Sequence, residues 1–360
     1  MKRILKPFSY ILLLLSLCFS LASCEIIIDF DDPASGGPQS GVTDPDKDPD
    51  KDPDKDPDKD SDKDPDKDPD GGADKDPMPD PEEKPVPAIP IAKEGELAVH
   101  FIDVDQADCA LIMDGEKVML IDTGDYPNDE HKSYMLDYLK DRGVQTIDYL
   151  ILTHPDADHI GGAPEVIHAF DVKNCIMPSE TKTSKVFERT LDALEENEVN
   201  VLLPVPGDVF TLEKASFEIL APNSEDYAEC NDFSVVLRLD FGERSILFTG
   251  DAEKISENEM IAKYGETDAL SADVLKVGHH GSDSSTTADF LSLISPSYAV
   301  ISCGVDNKYG HPKPAIVTRL LDADIEVYRT DKHGTVVLIT DGEKLEFTWL
   351  TKAHKDSAED

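Results

Sequence analysis

The chain has 360 residues, of which 34 are basic and 76 acidic, giving a formal charge of −42 at pH 7. Residues 86–360 keep 53 acidic against 23 basic residues, and such a surface repels bulk nucleic acid, whose binding is driven by Lys and Arg on phosphates. The same stretch is long enough for one large domain with a substantial core.

In chain order, Lys2, Arg3 and Lys6 precede an apolar stretch from Tyr10 to Phe19, followed by Leu21-Ala22-Ser23-Cys24. This order predicts a lipoprotein signal peptide over 1–23, with cleavage before a lipidated Cys24. An ordinary signal peptide and an uncleaved anchor are the other readings, although a spanning helix needs roughly 20 apolar residues. Residues 24–95 are expected to form a disordered Asp/Pro/Lys-rich tether anchored by that lipid. From Asp44 to Asp70 it runs with a period of four, as in Asp44-Pro45-Asp46-Lys47, broken once by Ser61. No apolar side chain interrupts the repeat, so it cannot bury a core. Its proline favours extended chain, and residues 29–85 reach on the order of 150 Å. Calcium is a weaker reading of these aspartates, because no Gly-turned loop of the EF-hand kind is present. The expected location is therefore extracytoplasmic, with the membrane as a partner through Cys24.

Residues 96–350 carry the folded domain, and 351–360 a polar tail. Strand-like runs are predicted near 97–103, 109–113, 117–122, 148–152, 173–177, 215–221, 234–240, 244–249, 273–277, 298–302, 325–329, 334–340 and 343–349. Helices are predicted near 130–141, 163–170, 183–197, 252–264, 286–294 and 314–322. Strands in hairpin-like groups with interleaved helices fit two packed sheets with helices outside. Cys109, Cys175, Cys230 and Cys303 lack Cys-x-x-Cys spacing. An exported location permits disulfides, yet Cys109 and Cys303 lie in apolar runs, where buried thiols are at least as well supported.

Three of these strands end in potential metal ligands. Tyr149-Leu150-Ile151-Leu152 leads into Thr153-His154-Pro155-Asp156-Ala157-Asp158-His159-Ile160-Gly161-Gly162, with four His or Asp ligands in six residues. The glycine pair is expected to let the chain leave the turn tightly. Ser245–Thr249 ends in Gly250-Asp251, and Asp273–Val277 ends in Gly278-His279-His280-Gly281-Ser282. Strand ends converge on one rim in layered α/β proteins. Imidazole suits zinc and its neighbours, and carboxylate suits harder divalent ions. The constellation predicts a hydrolytic centre with two divalent metal ions.

The succession of motifs resembles the metallo-β-lactamase superfamily, with His-x-Asp-x-Asp-His in place of the commoner His-x-His-x-Asp-His. Within it, residues 96–349 are similar to the ComEC-like competence hydrolase domain subgroup. The resemblance rests on Phe101–Asp108, Ile121-Asp122-Thr123-Gly124, His154–Gly162, Asn231–Arg238, Thr249-Gly250-Asp251, His279–Ser282 and Tyr309-Gly310-His311-Pro312. The chain departs at Asp105 and Ala107, where the subgroup usually has Gly, and at Lys313, where the family often has a second His. These changes bear on substrate more than on metal binding. The resemblance implies an αββα metallo-β-lactamase-like sandwich with the metals at one edge between the sheets.

It also implies roles. His154 and Asp156 are expected on one metal, and Asp158 and His159 on the other. Asp251 stands where the superfamily bridges both. His279 or His280 completes the second metal, and the residues alone do not choose between them. A further first-metal ligand is not obvious; Asp232 is near the right place, but a structural role in its loop is the stronger reading. Asp158 is also expected to orient the attacking hydroxide, and His311 to donate a proton or contact a phosphoryl oxygen. Zinc leads, with manganese or iron competing because Asp replaces a His. The expected substrate is a phosphodiester, with DNA among the candidates, although the acidity pulls towards a smaller or envelope-linked one. A binding or assembly protein without turnover, a β-lactamase, and a hydrolase of a non-phosphate ester or amide are the alternatives.

Overall fold

A computed structural model describes residues 76–78, 92–125 and 129–350, without the side chains of 129–132. The expected signal peptide, Cys24, the Asp44–Asp70 repeat and the tail lie outside these residues. Most central strands are near-continuous buried runs, as in Leu97–Phe101, Arg244–Phe248 and Thr335–Thr340, because both of their faces are covered. The first sheet has the order β15-β14-β1-β2-β3-β4-β5-β6. Its strands are β1 (Leu97–Phe101), β2 (Ala110–Asp114), β3 (Lys117–Ile121), β4 (Thr146–Ile151), β5 (Asp171–Ile176), β6 (Asn200–Leu202), β14 (Thr335–Thr340) and β15 (Leu345–Leu350). The second sheet has the order β13-β12-β11-β10-β9-β8-β7. It comprises β7 (Val209–Thr211), β8 (Ser216–Ala221), β9 (Val236–Phe241), β10 (Arg244–Phe248), β11 (Val274–Lys276), β12 (Tyr298–Ile301) and β13 (Glu326–Arg329).

The facing sides of the two sheets share one core that includes Val99, Phe101, Met119, Ile151, Phe217, Leu237, Phe248 and Val300. Phe101 and Phe248 stack across it with centroids 5.9 Å apart. Buried Asp114 at the end of β2 ties the sheets together, accepting from the backbone amides of Glu213, Lys214 and Ala215 between β7 and β8. The outer side of the second sheet, with Leu247, Leu275 and Ala299, is covered by α5 (Lys254–Tyr264), α6 (Ala288–Ile294) and α7 (Pro314–Asp322). Beside the first sheet lie α1 (Asp129–Asp141), α3 (Ala163–Ala169) and α4 (Lys185–Glu196), and α3 packs on α4 and β5. Helices flank two packed sheets, as the αββα expectation requires.

Strands β3, β4 and β5 run parallel, as do β10, β11 and β12. Their C-terminal ends therefore reach one rim, where ligand-bearing turns belong. Two edge strands, β6 and β7, escaped the sequence reading, as did two one-turn helices, α2 (Ala157–Ile160) and α8 (Thr330–His333). Cys109, Cys175 and Cys303 are buried free thiols and Cys230 is a half-buried one. Among the described residues, no helix is long and apolar enough to cross a membrane.

Candidate metal centre

β4 delivers Thr153 and His154, and the single turn α2 then reverses the chain so that Asp158 and His159 return to the same rim. Gly162 makes this return possible for a reason other than backbone freedom. Its φ of −93° suits any residue, but a Cβ there would lie 2.5 Å from the Thr123 carbonyl oxygen and 2.7 Å from Met135 Cε. Close packing of the turn on β3, rather than an unusual conformation, demands the glycine.

The turn after β11 solves a different problem. Adjacent residues at a strand end ordinarily point apart. His279 (φ 47°, ψ 48°) and His280 (φ 53°, ψ 19°) both adopt left-handed backbone, which costs of order 1–3 kcal/mol per non-glycine residue. Both rings then face Asp251: His279 Nε2 lies 3.7 Å and His280 Nε2 3.5 Å from its Oδ2. His280 is buried and also 3.4 Å from Asp158 Oδ2, whereas the His279 side chain keeps 13% exposure at the mouth. The geometry thus separates the pair: His280 belongs to the centre, and His279 borders it.

Asp158, His159, Asp251 and His280 each offer one ligand atom, and these atoms lie within 4.8 Å of one another. Each ring in this group is aimed by its other nitrogen. Asp122 Oδ2 lies 2.8 Å from His159 Nδ1 and, as an acceptor, fixes the proton there. The Ser302 carbonyl does the same for His280 Nδ1 at 3.0 Å. In both residues Nε2 is the atom left facing the centre, the usual arrangement of a metal-binding imidazole. Asp122 is itself held by the Thr153 amide and hydroxyl, each at 2.8 Å. Asp108 lies 3.4 Å from His280 Nδ1 and pairs with buried Lys276 at 2.8 Å.

His154 Nε2, His159 Nε2, His280 Nε2 and Asp251 Oδ1 are buried and make no hydrogen bond among the described residues. Buried polar atoms are seldom left so, and three of them belong to His159, His280 and Asp251, whose ligand atoms lie together, which fits a cation-binding set. Electrostatics agrees. Burial opposes charge on every group, yet Asp251, Asp122 and Asp158 hold the His159 pKa well above its usual value. On His280, against the same burial, Asp251 and Asp108 raise it to about 10. Asp251 is correspondingly held far below the carboxylate range, by His159 and His280 against burial. A field that retains protons on imidazoles at neutral pH also attracts divalent cations.

The remaining predicted residues stand around this group. The His154 ring lies 4.1 Å from that of His159, its Nδ1 near the hydroxyls of Thr153 (3.2 Å) and Ser234 (3.3 Å). Burial and the charge of His159 lower its pKa. The Asp156 side chain is a quarter exposed, with Oδ1 3.0 Å from Lys182 Nζ. Asp232 accepts from the Glu253 and Ser256 amides at 3.1 and 3.0 Å, capping α5, which is the structural role expected for it. His311 is buried, 5.6 Å from His279 between ring centroids, with both ring nitrogens unbonded among the described residues. Burial, then the charges of His280 and His279, push its pKa down to about 3.

Asp122, Asp108, Lys276 and Ser234 were not given roles from sequence. Asp108, Asp122 and Ser234 did lie in the motif runs. An isolated charge directly after or within an apolar strand was the available signal, and Lys276 in Val274–Val277 carried it too. Asn231 and Glu253 complete the support, with Glu253 accepting from Asn231 at 3.0 Å and lying 3.2 Å from His279 Nδ1.

Comparison with known proteins agrees with this architecture. ComE operon protein 3 of Bacillus subtilis (strain 168) is 34% identical over 261 residues, which cover 68% of this chain and 33% of that protein. Competence protein ComA of Neisseria gonorrhoeae is 30% identical over 243 residues, covering 68% of this chain and 32% of its own length. The chain thus spans about a third of the length of these curated relatives. The metallo-beta-lactamase fold protein YhfI of Bacillus subtilis superimposes with a TM-score of 0.47 at 12% identity, over 68% of this chain and 100% of that one. Residues 102–305 match the family described as the Metallo-beta-lactamase superfamily, more than half of the chain. The chain belongs to the metallo-beta-lactamase superfamily.

Proposed function

We propose that this domain is a phosphodiesterase with two divalent metal ions, held outside the cytoplasm by a lipid on Cys24. Asp158, His159, Asp251 and His280 would hold one ion; His154 and Asp156, sharing Asp251, would hold the other. When bound, divalent ions lower the pKa of water towards neutrality and act as Lewis acids on the attacked group. Zinc is favoured, with manganese and iron as competitors for the Asp156 half. The chain's own residues do the rest. Asp122 and Ser302 fix the rings of His159 and His280, so no reorganisation is needed when charge develops. Asp158, whose side chain is 30% exposed, reaches towards the mouth, where it can orient the attacking oxygen. His311 at the mouth is neutral and offers one N–H to a phosphoryl oxygen, so hydrogen bonding fits it better than proton donation.

The observation that carries this reading is the gathering of the Asp158, His159, Asp251 and His280 ligand atoms within 4.8 Å of one another, with Nε2 of both rings buried and unbonded among the described residues. The phosphodiester substrate rests on similarity to competence proteins, with DNA a candidate. The formal −30 of residues 86–360 favours short or envelope-linked diesters over long nucleic acid. The test is turnover of a nitrophenyl phosphodiester, a phosphomonoester, single-stranded DNA and a β-lactam by the purified chain loaded with zinc, manganese or iron. Diester hydrolysis that stops on chelation supports the proposal. A metal-loaded protein that turns over none of them would be a binding or assembly protein, and β-lactam turnover alone would move it to another substrate class. Cys24→Ser should release the chain from membranes; unchanged sedimentation would remove the lipid anchor.

A further inference from the structure

Residues 76–78 lie against the domain although thirteen residues separate Met78 from Ala92. The Arg329 guanidinium donates to Asp76 Oδ2 at 2.8 Å, and the Lys332 ammonium lies 3.0 Å from the same oxygen. Lys332 also donates to the Met78 carbonyl at 2.6 Å. The Met78 amide turns back on Asp76 Oδ1 at 3.0 Å, and the Met78 side chain packs against the apolar cluster under α5–α7. Arg329 is itself fixed, buried and paired through two nitrogens with Asp331.

The sequence shows why this point is chosen. The tether repeats Lys-Asp-Pro-Asp, as in Lys67-Asp68-Pro69-Asp70, and the four-residue register carries on to Lys75-Asp76-Pro77-Met78. That last unit keeps the Asp-Pro pair and replaces the final Asp with Met. The Asp-Pro carboxylate alone cannot select a register, because the earlier repeats supply it many times. The methionine can, since it is the only apolar side chain offered at that position between Lys47 and Met78, and it is the one that packs on the core.

We propose that the Arg329–Lys332 face is a docking site for an Asp-Pro-apolar segment and that its occupant is this chain's own Asp76-Pro77-Met78. The tether is thereby strapped to the domain at a fixed register, independently of what its other end is attached to. The docking point adjoins the metal centre: Thr330, between the two basic residues, exchanges hydrogen bonds with Cys303, next to the Ser302 carbonyl that aims His280. Thirteen residues reach at most about 45 Å, which leaves the segment free to dock on its own domain.

Limited trypsin digestion of the full chain tests this with an internal control. Lys67–Asp68 and Lys75–Asp76 share their flanking Asp before and Asp-Pro after the cut. Cleavage follows the population of the open form, so the Lys75 bond should be cut at least about tenfold more slowly than the Lys67 bond. Met78→Asp, which turns the last unit into an ordinary repeat, and Asp76→Asn should each bring the two rates together. Both substitutions lie in the tether, outside every strand and helix of the domain, so misfolding does not confuse the result. Equal rates in the wild-type chain, or protection that survives Met78→Asp, would overturn the proposal. Protection that fades on dilution would overturn the own-chain occupant in favour of a second copy.

Discussion

Asp251 and His280 arrive on the ends of two paired, buried strands, β10 and β11, and Nδ1 of both His159 and His280 is committed to the protein. Asp156 precedes the single turn α2 with its Oδ1 3.0 Å from Lys182 Nζ, while among the described residues His154 Nδ1 meets the hydroxyls of Thr153 and Ser234. One half has its rings fixed by a carboxylate and a carbonyl, and in the other the Asp156 carboxylate would have to give up Lys182 to take an ion. Preorganisation of this kind decides affinity more than ligand count does. Metal should therefore load in two steps, the tighter filling the Asp158–His159–Asp251–His280 half.

The largest effect should come from the residue both halves share. Asp251→Ala is expected to abolish binding of both ions and lower kcat by on the order of 10⁴-fold or more. Elemental analysis and steady-state kinetics check this. Asp158→Ala should also lower kcat far more than it raises KM, because its carboxylate acts mainly in the transition state. Unchanged activity in Asp158→Ala would break the mechanism, and two ions retained in Asp251→Ala would break the comparison.

Next in size is His311→Ala, with a loss of about 10²-fold. A neutral ring that contacts the phosphoryl oxygen should give the same loss on a nitrophenyl diester and on a poorer-leaving alkyl diester. A loss confined to the alkyl substrate would make His311 the proton donor instead. Third is Asp122→Asn, which removes the carboxylate that aims His159. Support residues of this kind are worth 10–100-fold in metal affinity, so the tight step alone should weaken by about that factor. An equal change in both steps would erase the distinction between the halves.

The chemistry of this rim was legible before its geometry. His154 to His159, Asp251 and the 279–280 pair each follow a short apolar run, and such a run ending in His or Asp is easy to read. What sequence could not decide is set by backbone detail. His279 and His280 are chemically alike, and only two successive left-handed residues show that His280 is in the centre. Edge strands β6 and β7, of three residues each, carry too few alternations to register, and α2 and α8 are single turns whose order comes from their neighbours. Lys276 drew no role within its strand because its partner, Asp108, is remote in sequence. The Asp76–Met78 strap was hidden in the repeat, because one Met in an Asp-rich tract has meaning only beside the face that receives it.

The smallest predicted effect bears most directly on the open half. Lys182→Gln removes the cation that Asp156 now faces. The Lys182 side chain is 34% exposed, so solvent screens the pair, and its worth is that of a surface ion pair, about 0.2–1 kcal/mol. Removing it has two consequences of the same sign. The Asp156 carboxylate no longer gives up that pairing when it turns to an ion, and an incoming divalent cation no longer meets a positive neighbour. The weaker loading step should therefore tighten by about two- to fivefold, while the tight step, with Asp251 and His280 behind it, stays within error. Isothermal titration of chelator-stripped protein resolves the two steps. Weakening of the loose step in Lys182→Gln would mean that Lys182 holds Asp156 in place for the ion rather than competing with it, and the open half would then be as prearranged as the closed one.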